Sequence, residues 1–290
     1  MSTLLDIRDL DLTLAGSPPL RLLRRVSLQV EPGQIVGLVG ESGAGKTMVS
    51  RVVLGIAPAN ARVTRGAVVF DGRDITHLAE RQRRHLLGRE IAFIPQNPMT
   101  ALNPVERIGP QITDVLRMHL DLDKGAAHER ALALLQDVHL RDPERIVRQF
   151  PHELSGGMRQ RVLIAIAFAC KPKLVIADEP TTALDVTVQK QILQLIRELQ
   201  RDSGTAMLFI THDLGVVAKL CDHVAVMHGG RVLESAPAAQ LFASPGHDYT
   251  RALFAATPRF DRPADELRPI PADLTQRLNE EARAIDTRDA

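Results

Sequence analysis

The chain has 290 residues, 44% of them hydrophobic and 24% charged, with a formal net charge of +1. That composition is ordinary for a globular protein with room for one large domain or two modest ones, and its charge balance gives no support for bulk attraction to nucleic acid. The only two cysteines, Cys170 and Cys221, exclude a disulfide framework or cysteine metal cluster and read as reduced core residues; no apolar run reaches the ~18 residues of a membrane span, and no signal-peptide pattern opens the chain, so it is expected in the cytoplasm.

Apolar and polar positions alternate at 4–10 and 26–30, punctuated by Gly16, Pro18, Pro19, Pro32 and Gly33, as in antiparallel strands joined by exposed turns. Residues 35–39 are apolar without interruption, the mark of a strand buried on both faces, and runs at 91–94, 174–177, 207–210 and 224–227 share that character. Helical patterns at 47–54, 126–138 and 186–200 lie between them. Buried strands alternating with helices predict an α/β fold around a mainly parallel sheet, with an antiparallel β subdomain at its start. Few strand signals occur from about 98 to 169, which reads as a helical subdomain. Arg81, Arg83, Arg84 and Arg89 read as a solvated basic face. After Pro258 the chain turns polar and proline-spaced (Pro263, Pro269, Pro271), then weakly helical over 274–285; residues 259–290 are expected to be a loosely attached tail.

Three clusters carry chemistry. Gly40-Glu41-Ser42-Gly43-Ala44-Gly45-Lys46-Thr47 follows a buried strand and opens a helix, the setting of a P-loop. Its glycines let backbone N–H groups approach a phosphate, Lys46 supplies a mobile cation to the β- and γ-phosphates, and the Thr47 hydroxyl ligates Mg²⁺. Asp178-Glu179 ends another buried strand, where ligands collect in open α/β sheets, and the twofold strand period is expected to point the two carboxylates apart. Asp178 is then placed for Mg²⁺ and Glu179 for the attacking water. Gln96 and His212 stand just beyond two more such strands, Gln96 for Mg²⁺ and the water, His212 for the γ-phosphate. Finally, Leu154-Ser155-Gly156-Gly157-Met158-Arg159-Gln160 is a glycine-rich turn with Ser155 as the N-cap of a helix, a second phosphate-facing end with no lysine of its own. The nucleotide it faces is expected to be one held by another subunit.

With these residues in this order, and with the turn Ala183-Leu184-Asp185, the chain resembles the ATP-binding cassette (ABC) ATPase subunits of membrane transporters over about residues 4–258. The resemblance implies an ABC-type P-loop ATPase domain at 1–258, ATP and Mg²⁺ as ligands, and a head-to-tail dimer in which Ser155, Gly156 and Gly157 of one subunit close over ATP bound by the other. The stretches 96–104, 181–189 and the tail motif from His247 through Leu253, running on to Pro258, are similar to the peptide/nickel importer subfamily. That implies a second, homologous but non-identical ATPase subunit, two transmembrane permease subunits and an external solute-binding protein, with the chain at the cytoplasmic face of the inner membrane. The expected cargo is di- or oligopeptide, with nickel or another small solute as the alternative; ABC ATPases that act on nucleic acid, and regulatory nucleotide-binding subunits, are the rival classes.

Asp248 departs from the subfamily, which has proline there, and is expected to alter a local turn and little else. The chain also lacks the tail cysteine cluster of some members. ABC ATPases commonly stack adenine on an aromatic ring about 25 positions before the P-loop, where this chain has Leu14 and no aromatic before Phe70. A missing ring costs about 0.5–1.5 kcal/mol, up to about tenfold in affinity. Leu14→Tyr should therefore tighten ATP binding by the isolated chain in an equilibrium titration; an unchanged dissociation constant would refute the stacking argument.

Overall fold

A computed structural model describes residues 3–182, 184–257 and 268–288; Ala183 of the expected turn, and Pro258 and Pro263, lie outside them. The chain divides into two compact units, residues 1–78 with 208–290, and residues 79–207.

The first unit begins with β1 (Leu5–Leu14), β2 (Leu20–Val30), β3 (Ile35–Val39), α1 (Lys46–Leu54), β4 (Ala61–Phe70) and β5 (Arg73–Asp74). Four of these form an antiparallel sheet in the order β2-β1-β4-β5. The alternation read in the sequence is its pleat: Val26, Leu28 and Val30 point into the core while Ser27 and Gln29 face out. All five residues of β3 are buried, as its unbroken apolar run requires.

The second unit carries α2 (Glu80–Leu86), β6 (Ile91–Ile94), α3 (Pro98–Ala101), α4 (Ile108–Leu120), α5 (Lys124–Asp137), α6 (Pro143–Ile146), α7 (Gly156–Phe168), β7 (Leu174–Asp178), α8 (Val186–Ser203) and the first two residues of β8 (Ala206–Ile210). Strands β6 and β7 run parallel, with Ile94 opposite Ala177. Helix α4 packs on α5, burying Ile112 and Leu116 of one and Ala131, Leu134 and Leu135 of the other. Helix α7 buries Val162, Leu163, Ile164, Ala165, Ala167 and Phe168, which leaves it no polar face in its second half. Cys170, just beyond it, is only partly buried, not the core residue expected from its apolar neighbours, and what burial it has pushes its thiol up.

Back in the first unit, the chain completes β8 and adds α9 (Leu214–Leu220), β9 (His223–His228), β10 (Arg231–Pro237), α10 (Ala238–Ala243), α11 (Asp248–Ala256) and α12 (Ala272–Arg288). Here the strand order is β10-β9-β3-β8, with β9 parallel to β3 and antiparallel to β10. Cys221, at the end of α9, is buried.

The tail departs from its expectation of loose attachment. Leu274, Leu278 and Ala282 of α12, four residues apart, are only 8%, 2% and 5% exposed, so one apolar stripe is seated on the unit. Ionic contacts fix its register: Arg24 of β2 donates to both carboxylate oxygens of Asp286, at 2.8 and 2.7 Å, and Arg231 reaches Glu281 at 3.3 Å. Asp248 also does more than shape a turn. Bonds from Arg251 and from Arg277 of α12 hold its carboxyl below the usual range, so the position expected to matter only locally ties two helices together. Leu278→Ala should cost about 2–5 kcal/mol through lost burial and the cavity left behind, and lower the Tm by several degrees. An unchanged melting curve would restore the loose-tail picture.

Candidate active site

In the first unit the cradle is built where β3 gives way to α1. Gly40 adopts φ +152°, and a Cβ there would lie 2.2 Å from the carbonyl oxygen of Met227 at the end of β9. The position is therefore closed to every residue with a side chain. The loop folds on itself through Ala44 N–H to Glu41 O, 3.2 Å, and α1 starts with Met48 N–H to Gly45 O, 3.0 Å. No side chain caps α1 at Gly45, so the anion that a helix start attracts is not supplied there by a capping residue. The Lys46 ammonium, almost fully buried, donates to the carbonyls of Gly40 at 2.8 Å and Glu41 at 2.9 Å. A buried cation thus stands at the open end of a helix dipole, an arrangement with a strong demand for an anion.

His212 lies in the same unit, on the turn between β8 and α9. Thr211 N–H donates to Leu38 O of β3 at 3.2 Å, its hydroxyl accepts from Asp213 N–H at 3.0 Å, and Asp213 caps α9 by accepting from Gly215 and Val216 N–H. The histidine is thereby carried on a turn locked to the strand that leads into the cradle.

In the second unit, Asp178 is the last residue of β7 and 5% exposed. Glu179 follows with φ +47°, in the left-handed region. The turn, rather than the strand's twofold period, therefore sets the direction of the second carboxylate; non-glycine residues with such angles concentrate at functional sites. Gln96 Nε2 donates to Glu179 Oε2 at 2.8 Å, a contact made possible because β6 and β7 end side by side. The Thr182 hydroxyl donates to the same oxygen at 3.0 Å. Sequence reading missed Thr182, and only its place three residues after Glu179 could have signalled it.

The signature turn opens α7. Ser155 Oγ accepts from Met158 N–H at 3.3 Å. A Cβ on Gly157 would lie 2.9 Å from Val188 Cγ1, so glycine lets the start of α7 approach the start of α8. Helix α8 is itself capped by Asp185, which accepts from Thr187 and Val188 N–H. The start of α7, with Ser155, Gly156 and Gly157, thus lies against the first turn of α8.

A sequence family described as ABC transporter matches residues 23–182, and one described as the oligopeptide/dipeptide transporter C-terminal region matches residues 233–282. The chain belongs to the ABC transporter family. It is 49% identical over 257 residues to a probable peptide ABC transporter ATP-binding protein of Sinorhizobium fredii, covering 88% of this chain and 77% of that protein. It is 43% identical over 293 residues to the oligopeptide transport ATP-binding protein of Bacillus subtilis, covering 98% and 81%. Among solved structures, a dimeric ATP-binding cassette in a post-hydrolysis state, bound to ADP and phosphate, superposes with a TM-score of 0.72 at 25% identity, covering 81% of this chain and 98% of that one.

Family membership makes the chain an ATP-binding cassette, and its residues suit a magnesium nucleotide. Among the described residues no group of three or more His, Cys, Asp or Glu could hold a metal by itself. Mg²⁺ characteristically takes one or two protein oxygens and completes its shell from phosphates and water; the Thr47 hydroxyl at the start of α1 in the first unit, and separately the buried Asp178 carboxylate in the second, are oxygen donors of that kind. Gly40→Ala tests the cradle's closeness to β9: the added Cβ should cost about 1–3 kcal/mol of stability through overpacking, read by chemical denaturation, whereas an unchanged midpoint would show that the loop has room to shift.

Proposed function

We propose that the chain is the ATP-hydrolysing subunit of an importer for short peptides. The observation that carries the enzymatic part is the Gln96–Glu179 hydrogen bond: a carboxylate held in a left-handed turn at the end of a parallel strand, oriented by an amide and a hydroxyl, is built as a general base. Glu179 takes the proton of the attacking water, and Gln96 and Thr182 fix which oxygen faces it. Lys46 and the N–H groups of residues 40–47 hold the phosphates, and His212 donates to the γ-phosphate. Thr47, Asp178 and Gln96 would hold Mg²⁺, which neutralises charge on the phosphates when bound.

Hydrolysis in this reading needs two cassettes. Ser155, Gly156 and Gly157 present a capped helix end to the triphosphate of a neighbouring subunit, so ATP draws the pair together and loss of the γ-phosphate lets it part. The neighbour is a homologous, non-identical ATPase. The pair sits beneath two permease subunits at the cytoplasmic face of the inner membrane, and an external binding protein delivers the cargo. No helix among the described residues is long and apolar enough to cross a membrane, which suits a subunit that works through membrane partners. Peptide rather than nickel is favoured by the names of the relatives and by the C-terminal match. A net charge of +1 lends nothing to the nucleic-acid reading.

Glu179→Gln should lower ATP hydrolysis by about 10²–10⁴ while nucleotide still binds, and Lys46→Ala should weaken binding itself. Hydrolysis at the parent rate by the Glu179 variant would sink the base assignment. Peptide uptake that survives deletion of the chain would sink the transport role.

A further inference from the structure

Tyr249 is the one tyrosine of the chain, and its side chain is completely buried. It sits in the first turn of α11, where its N–H bonds the Nδ1 of the capping His247 at 3.0 Å. The hydroxyl, inside the first unit, donates to Glu41 Oε2 at 3.0 Å. His228, the last residue of β9, tilts against the tyrosine ring with centroids 4.7 Å apart, and its Nδ1 lies 3.9 Å from the same oxygen. Burial and the adjacent Glu41 carboxylate push the phenol well above its ordinary range, so the hydroxyl keeps its proton and remains a donor.

Glu41 is the acidic member of a loop whose work is to receive a polyanion. Its main-chain carbonyl accepts from the Lys46 ammonium, so its carboxylate is attached beside the very cation that a phosphate must reach. A carboxylate free to turn toward that ammonium would compete with the phosphate for it and repel the incoming charge. The tyrosine hydroxyl gives the carboxylate another place to be.

A second thread leads to the same loop. Ala44 O accepts from Gly230 N–H at 3.0 Å, and Gly230 O accepts from Arg24 N–H at 2.8 Å. The Arg24 guanidinium donates to Gly229 O at 2.9 Å and to both oxygens of Asp286 on α12. Two residues of the cradle, 41 and 44, are therefore connected to α11 and α12, and those helices are joined to each other by Asp248 and Arg277 at 3.2 Å.

We propose that Tyr249 is a positioning residue for nucleotide binding: its hydroxyl holds the Glu41 carboxylate off the phosphate side of the cradle, so that the C-terminal helices set the affinity of the P-loop. The inference rests on the reading of residues 40–47 as an ATP site and adds to it a control from the far end of the chain.

The test is equilibrium titration of the full chain with a fluorescent ATP analogue and Mg²⁺, for the parent, Tyr249→Phe, Glu41→Ala and the double variant, with Lys46→Ala alongside. Tyr249→Phe should raise the dissociation constant about three- to tenfold, the scale of one hydrogen bond to a charged group acting in part. In the Glu41→Ala background the same substitution should change nothing, because no carboxylate is left to hold. Equal weakening in both backgrounds would mean that the phenylalanine acts through packing, and no weakening in either would mean that the carboxylate needs no anchor; each overturns the proposal. If Lys46→Ala also binds like the parent, the ATP site itself has been misassigned, an outcome distinct from failure of the tyrosine strut alone.

Discussion

A strand buried on both faces cannot carry a charge along its length, because removing that charge from water without a partner costs several kcal/mol or more. In this chain that constraint sorts chemistry from scaffold. The residues of β3 and β8 are buried and apolar throughout, and β7 becomes polar only at its final position. Gly40, Glu179 and His212 stand within two residues of those strands' ends, and Gln96 stands two residues beyond β6. The turn that leaves a strand is the first place where water, a phosphate or a proton can be met, so every candidate catalytic residue is a turn residue and each strand acts as its mount.

The helix starts of the candidate site, at α1, α7, α8 and α9, divide into two kinds. Ser155, Asp185 and Asp213 each accept first-turn N–H groups of their own helices, α7, α8 and α9. A cap of this kind satisfies first-turn N–H groups without a ligand and holds the turn in place. Helix α1 has glycine at its cap and no side chain to serve its N–H groups. Of these four helix starts, the one without a side-chain cap is also the one with a buried lysine beside it, which is why the cradle has the stronger attraction for an anion. Ser155 satisfies only Met158 N–H, so α7 keeps part of its dipole for an outside charge while holding its geometry.

Most of this was legible because it is local. Unbroken apolar runs announced the buried strands, and Ser155 ahead of an apolar helical run announced the start of α7. The glycines of residues 40–45 announced a backbone approach that the 2.2 Å distance from a Gly40 Cβ to Met227 O makes concrete. What stayed hidden depends on partners far apart in sequence. Gln96 and Glu179 are 83 positions apart, Tyr249 and Glu41 are 208, and Arg24 and Asp286 are 262. The tail misled for a related reason. Its helix has only Leu274, Leu278 and Ala282 on the buried stripe amid charged residues, a pattern too narrow to signal docking by itself, and the arginines that receive it lie on β2 and β10.

Those long-range pairs change what the C-terminal region is. A tail held by exposed charges alone would add little, since such pairs contribute about 0–1 kcal/mol. Arg24, however, is 12% exposed and answers both Asp286 and the carbonyl of Gly229, and the turn that it braces bonds the cradle at Ala44. Loss of Asp286 would leave a largely buried guanidinium short of an acceptor at the edge of the phosphate loop. A loop that must present several N–H groups to one phosphate tolerates displacements of only about 0.5 Å. Rigidity brought in from the last helix is therefore part of the cradle's own geometry, and the region beyond β10 belongs to the nucleotide unit in the same physical sense as the strands beneath it.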